Sequence, residues 1–295
     1  MGPNTVATGQ NALEERHRSI AHDASASRVG RPSSPVRTVE FIGATGAGKT
    51  TLARAVASAG LIDPPPVMWT DLITARAWIR WLKDPHLVNL LADLAALSRF
   101  PLMPPGDRRF ARFAFKRLQR HAPSMFASLN YRRNVIRRVG MHGLARATER
   151  ATVLFDEGPL LIAYQLYVYT DTPYTRTELE AFARLVPMPD RVVLVKAPIE
   201  DLVERALGRS DARRELARRD PAHVRRSIAR AVQLFDELSE LEPIRHRVKT
   251  VQIDADSDVA LAKAARSIAD WITDGRPGEA GGSRPSSAET RTWRS

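Results

Sequence analysis

The apolar positions of this chain fall into short unbroken runs separated by longer stretches of helical spacing. The first run, "RTVEFIG" at 37–43, is compact and apolar and reads as a strand buried on both faces. A glycine-rich turn follows, and "KTTLARAVASA" at 49–59 then reads as a helix. "DPPPVMWTDL" (63–72) is a proline-rich loop leading into a short second strand. In "ITARAWIRWLKDPHLVNLLADLAALSRF", Trp78, Trp81, Leu82, Leu87, Leu90, Leu91 and Leu94 recur at mostly helical spacing, and Pro85 opens a second helix. "DRRFARFAFKRLQRH" and "LNYRRNVIRRVGMHGLARATER" continue in helix, now basic, until "TVLFDEGP" brings a third strand that ends in two carboxylates and a Gly-Pro breaker.

Beyond this point the alternation is clean. "RVVLVKAP" (191–198) and "HRVKTVQIDA" (246–255) read as strands. "IEDLVERALGRSDARRELARRD" reads as one or two Arg-rich helices, "PAHVRRSIARAVQLFDELSEL" as a long helix opened by Pro221, and "DVALAKAARSIADWI" as a closing helix. Strands separated by helices predict a parallel sheet covered on both faces, hence a three-layer α/β fold with a large helical insertion. Residues 1–36 and 276–295 are rich in Gly, Ser, Pro and charge and are expected to be disordered tails around one folded domain at 37–275.

Composition narrows the chemistry. The chain has no cysteine, which excludes disulfides, thiolate metal sites and cysteine nucleophiles, so any metal must sit on oxygen or nitrogen ligands. No apolar run approaches the length of a membrane span and the start lacks the apolar core of a secretory signal; the expected location is the cytoplasm. The net charge is +12, and the segment 108–150 alone carries +11, with twelve Lys and Arg residues against Glu149. Such a concentration fits either a polyanionic partner, nucleic acid included, or a solvated helical face in an Arg-rich chain.

The stretch "FIGATGAGKTT" holds the clearest chemistry. Gly43, Gly48, Lys49 and Thr50 fit G-x-x-x-x-G-K-[ST], with Gly46 inside, between a strand and a helix as the motif requires. The backbone of Gly43, Ala44, Thr45, Gly46, Ala47 and Gly48 would turn N–H groups inward as an anion cradle, and the helix N-terminus adds its positive end. Lys49 would neutralise the outer phosphates of ATP, the Thr50 hydroxyl would ligate Mg²⁺, and Thr51 could reach the innermost phosphate.

Asp156 ends the third strand, where a carboxylate orienting water on Mg²⁺ belongs, and the adjacent Glu157 could take a proton from an attacking hydroxyl or water. Arg205, Arg209 and Arg213 recur at i, i+4 and i+8, and Arg214 and Arg218 form a second pair, so this segment reads either as an arginine lid over ATP or as a salt-bridged surface helix. Tyr164, Tyr167, Tyr169 and Tyr174 cluster just after the carboxylates; they could stack on an acceptor, but core packing is the favoured reading for Tyr164 and Tyr167.

Together, "VEFIGATGAGKTTLARAVA", "PDRVVLVKAPIEDLVERALGR", "VRRSIARAVQLFDELSE" and "VQIDADSDVALAKAARSIADWI" resemble the P-loop nucleoside and nucleotide kinases, thymidylate kinase-like members in particular. The resemblance implies the P-loop NTPase fold with a five-stranded parallel sheet, ATP and Mg²⁺, an arginine lid around 205–219 and a loop near 254–257 beside the adenine. Asp156-Glu157-Gly158 departs from the Asp-Arg or Glu-Arg of those families, so the arginine that orients their acceptor has no counterpart at that position, and the expected acceptor-binding region, 60–150, matches neither pattern. The leading expectation is therefore a kinase acting on a small molecule, a nucleoside, nucleotide or sugar-like compound, with no oligomeric state implied. The rival is an ATPase or switch protein in which Glu157 activates water and the basic segment 108–150 binds a polyanion.

Overall fold

The computed structural model describes residues 36–76, 85–148, 151–208, 220–252 and 257–274. Its centre is β1 (Thr38–Ile42), all five residues of which are buried. β1 is paired on one side with β3 (Val153–Phe155) and on the other with β4 (Arg191–Lys196). β2 (Val67–Met68) extends the sheet beyond β3, and β5 (Val248–Gln252) extends it beyond β4. The order β2-β3-β1-β4-β5 is parallel throughout. Parallel neighbours need crossovers, and the helical spacing between the apolar runs supplies them. The expected five-stranded, three-layer α/β fold is the one observed.

Two helices bracket the start and end of the domain: α1 (Lys49–Ser58) leaves β1 and packs against α9 (Asp258–Thr273). Between them run α2 (Trp69–Arg76), α3 (Pro85–Arg99), α4 (Pro105–His121), α5 (Met125–Arg146), α6 (Arg176–Leu185), α7 (Ile199–Leu207) and α8 (Pro221–Ser239). Pro85 and Pro221 stand at the first positions of their helices, as the sequence implied, because a residue without an N–H costs nothing there. The tyrosine-rich stretch forms a helical turn, Ile162–Tyr164, that widens into a π-helical turn at Gln165–Tyr169. Tyr164 and Tyr167 are buried in the core, in agreement with the packing expectation.

The helical insertion is built from α2 to α5. α3 and α5 approach so closely that a Cβ on Gly140 would come within 2.7 Å of the Ala96 Cβ. The basic segment does not present one solvated face. Arg108, Arg109, Arg112, Lys116 and Arg120 are exposed on α4, but Arg117 and Arg138 are turned inward. Arg117 lies 4.4 Å from the Tyr167 ring centroid and donates to Glu178 and to the Leu166 and Pro173 carbonyls, clamping α4 onto the π turn and α6. No single helix among the described residues is long and apolar enough to cross a membrane.

Candidate active site

The turn after β1 can exist only because of its glycines. Gly43, Gly46 and Gly48 have φ of 142°, 89° and 82°, a region L-residues rarely enter. The backbone is also crowded from outside: a Cβ on Gly43 would sit 2.4 Å from the Val195 carbonyl oxygen, and one on Gly46 would sit 2.7 Å from that of Leu202. The loop is thus pressed between the end of β4 and α7, and within it the Ala47 N–H donates to the Ala44 carbonyl at 3.3 Å. Lys49 folds back over it, its Nζ donating to the Gly43 and Ala44 carbonyls at 2.9 Å each. Tyr164 OH lies 3.3 Å from the Thr45 hydroxyl.

Asp156 follows β3 directly, and because β3 neighbours β1 its carboxylate meets the start of α1. The Thr50 hydroxyl donates to Asp156 Oδ2 at 2.7 Å. Those two groups are the pair assigned to Mg²⁺ from the sequence, and their contact fits that assignment: a hydroxyl and a carboxylate, side by side at the mouth of an anion cradle, form an all-oxygen donor set. Asp156 Oδ1 accepts a second bond, at 2.9 Å, from the indole N–H of Trp69.

Glu157, about one-third exposed, is met by Arg138 Nη2 at 3.0 Å. Arg138 is 4% exposed, and its Nε and Nη1 have no hydrogen-bond partner among the described residues. α5 thus brings an arginine to this carboxylate from 19 positions upstream in the chain. In the sequence Arg138 is one of the twelve basic residues of 108–150, open to either a polyanionic partner or a solvated face, and its contact with Glu157 is not among the expectations. A signal existed: Tyr131, Val135, Arg138, Val139 and His142 fall on one buried stripe of α5, so a charge sat where the helical period called for an apolar residue. Trp69 was read only as part of a proline-rich loop and strand.

Beneath this loop lies Glu40, a carboxylate in the middle of β1 with no exposure at all. It accepts N–H bonds from Leu160 at 3.1 Å and Leu161 at 3.0 Å, and so pins the chain just beyond the Asp-Glu-Gly-Pro turn. Burial pushes its pKa up to about 7, an effect partly offset by those N–H groups and by the Arg138 charge. A Cβ on Gly158 would lie 2.4 Å from the Glu40 carboxyl carbon. β3 has already ended at Phe155, so the glycine does not stop the strand as expected; it makes room for the buried acid.

Of the arginines assigned to phosphate, Arg205 lies on α7, whose Leu202 touches the loop, and its ion-pair partner at 3.8 Å is Asp201 on the same helix. Arg209, Arg213, Arg214 and Arg218 lie outside the described residues, as do residues 254–256 of the loop at 254–257 expected near the adenine. A small cleft beside the loop is lined by Gly43, Ala44, Ala197, Val232 and Phe235 and by Lys196 and Asp236, which form an ion pair of 2.7 Å. Among the described residues no three His, Cys, Asp or Glu side chains gather to hold a metal. A metal at Thr50 and Asp156 would take further ligands from the nucleotide.

The parallel β2-β3-β1-β4-β5 sheet with a glycine loop between β1 and α1 defines a P-loop α/β protein. No protein-family model matches the chain, and no curated protein matches it. Solved structures do: a shikimate kinase from Bacteroides thetaiotaomicron at 13% identity and TM-score 0.40, covering 80% of this chain and 97% of that one. A shikimate kinase from Acinetobacter baumannii in complex with shikimate matches at 15% identity and TM-score 0.35, over 81% and 92% of the two chains. TT1252 from Thermus thermophilus matches at 22% identity and TM-score 0.38, over 81% and 97%. The class assignment rests on the strand order and the loop.

Proposed function

We propose that this protein is an ATP-dependent phosphotransferase that moves the γ-phosphoryl group to a hydroxyl or phosphate oxygen of a small acceptor, a nucleoside, nucleotide or sugar-like molecule, in the cytoplasm. The observation that carries the reading is the contact of Thr50 with Asp156 beside an intact phosphate loop, with a second carboxylate, Glu157, next in the chain and held by Arg138. The loop N–H groups of 43–48 would hold the β-phosphate, with Thr51 near the innermost one. Lys49 would exchange the Gly43 and Ala44 carbonyls for phosphate oxygens. Mg²⁺, held through Thr50 and Asp156, would supply charge neutralisation across the β- and γ-phosphates. Glu157 would accept the acceptor's proton as the acceptor oxygen bonds to phosphorus and the bond to the ADP oxygen breaks. Arg205, with Arg209, would steady charge on the moving phosphoryl group.

A second reading keeps the same nucleotide site and uses Glu157 to activate water, with a polyanion such as nucleic acid on the exposed Arg108, Arg109, Arg112, Lys116 and Arg120 of α4 as its support. ADP release from Mg·ATP separates the two, measured alone, with a pool of nucleosides, nucleoside monophosphates and small sugars, and with duplex DNA or RNA. Stimulation by the small-molecule pool is the expected result. Turnover that needs no acceptor, or that rises only with nucleic acid, sinks the kinase reading.

A further inference from the structure

Both oxygens of Asp156 are claimed by side chains from different elements: Oδ2 by Thr50 of α1, and Oδ1 by Trp69. Trp69 reaches it by topology. It is the first residue of α2 and follows β2, whose Met68 pairs with Leu154 of β3, so the indole arrives at the same sheet edge as Asp156, 87 positions away in the chain. Its ring is 9% exposed and packed with Ile73, Ala92, Met141, Leu144 and Phe155, a cluster that joins α2, α3 and α5 to β3. The N–H is therefore aimed by a rigid apolar setting.

From this geometry we infer that Trp69 is a positioning residue for the metal-holding carboxylate. The inference rests on the nucleotide site proposed above and adds a role that the loop motif does not contain. An indole N–H is a donor only; it can neither ligate a cation nor compete with the carboxylate for one. By occupying Oδ1 it fixes the plane of the Asp156 carboxylate and leaves Oδ2 facing Thr50 and the space between them. Without it the carboxylate could rotate and the two oxygens would exchange, so metal affinity would drop while the phosphate cradle stayed intact. Outer partners of metal ligands typically contribute about 10–100-fold in affinity, and a single neutral donor belongs at the lower end of that range.

The test uses the full chain with Trp69→Phe, which keeps most of the ring and removes the N–H. Mn²⁺ binding in the presence of ADP is read from the spin-resonance signal of free Mn²⁺, and ADP binding in EDTA is read by calorimetry. The expected result is a rise of about 10-fold in the Mn²⁺ dissociation constant with ADP affinity in EDTA unchanged. In an Asp156→Ala background the same change should have no further effect, because the group it positions is gone. An unchanged Mn²⁺ constant in Trp69→Phe, or an equal loss of ADP affinity in EDTA, overturns the role of Trp69. Failure of the wild-type chain to bind Mn²⁺ with ADP overturns the nucleotide–metal reading itself, and the two failures are distinct. Should the variant not fold, the indole resonances of the ¹⁵N-labelled wild type serve instead. The resonance displaced by Asp156→Asn should shift with Mg·ADP and stay in place with ADP alone, and its indifference to Mg·ADP would overturn the role.

Discussion

The phosphate-loop half and the helical half of the site meet at Asp156-Glu157 but are built by different means. On the loop side, function is held by backbone: three glycines at positive φ, wedged against the Val195 and Leu202 carbonyls, with the reactive side chains all within residues 43–51. On the other side, function is held by packing. Trp69, Arg138 and Glu40 come from α2, α5 and β1, and each is kept in place by burial. Replacing a reactive side chain on the loop side, as distinct from one of its wedged glycines, should therefore damage chemistry and spare stability, whereas a substitution on the packed side should damage both.

The largest effect should come from Lys49→Ala. Lys49 Nζ bonds loop carbonyls, and losing one charged donor aimed at a developing phosphate charge costs about 10²–10³-fold in rate. Acceptor-stimulated ADP release should fall by that factor while the urea midpoint stays near wild type. A large drop in the midpoint would break the contrast, since it would make Lys49 a structural member of the loop.

Next in size is a pH effect on the packed side. Glu40, with its pKa raised to about 7 by burial, keeps a proton in the native state that the unfolded chain has lost. Its contribution is complete below the unfolded value near 4.5 and fades as pH rises to about 7, by ~3 kcal/mol at 1.36 kcal/mol per unit. His142, buried on α5, has its pKa lowered to about 4 by burial and then by the Arg146 charge. Its contribution is complete above 6.5 and fades as pH falls toward 4. The two slopes oppose each other over the shared window, so wild-type stability should be nearly flat there with respect to these groups. Glu40→Gln should expose the His142 slope, with stability falling on acidification, and His142→Phe should expose the opposite slope. Urea midpoints between pH 4 and 8, compared across the three chains, check the sign directly; parallel profiles would remove these two groups as the origin.

Gly158→Ala should follow. The added methyl would have to displace a carboxylate with no exposure, which two N–H bonds hold in place, and overpacking of this kind costs about 1–3 kcal/mol. Because residue 158 adjoins Glu157, acceptor-dependent turnover should fall with it. Stability at the wild-type value would mean that the turn relaxes freely, and the packed half would then be less rigid than its burial implies.

The same contrast explains what could be read from the residues alone. The strands, their parallel sense and the loop were legible because each is written in a contiguous pattern: apolar run, glycine turn, helical period. Asp156 and Glu157 were legible because they end such a run. Trp69 and Arg138 were not, since their roles depend on which helix lies beside β3, and spacing within one element carries no information about its neighbours. Arg138 was further masked by the other basic residues of 108–150, and Arg117 by the same company, although both are buried.

The smallest effect tests the arginine side of the loop. Asp201 lies in the first turn of α7 and pairs with Arg205 at 3.8 Å, both partly exposed. Asp201→Asn removes a surface i, i+4 pair worth about 0.3–0.5 kcal/mol and a favourable charge at the helix start worth a few tenths more, so the urea midpoint should move slightly. If Arg205 serves the phosphoryl group, freeing it from Asp201 should leave turnover at or above wild type and leave the KM for ATP equal or lower, while Arg205→Ala should lower turnover. If instead the pair is only a surface brace, both variants should shift stability slightly and neither should change turnover. The two variants are informative together because each removes the ion pair of Asp201 with Arg205 and only Arg205→Ala removes the guanidinium.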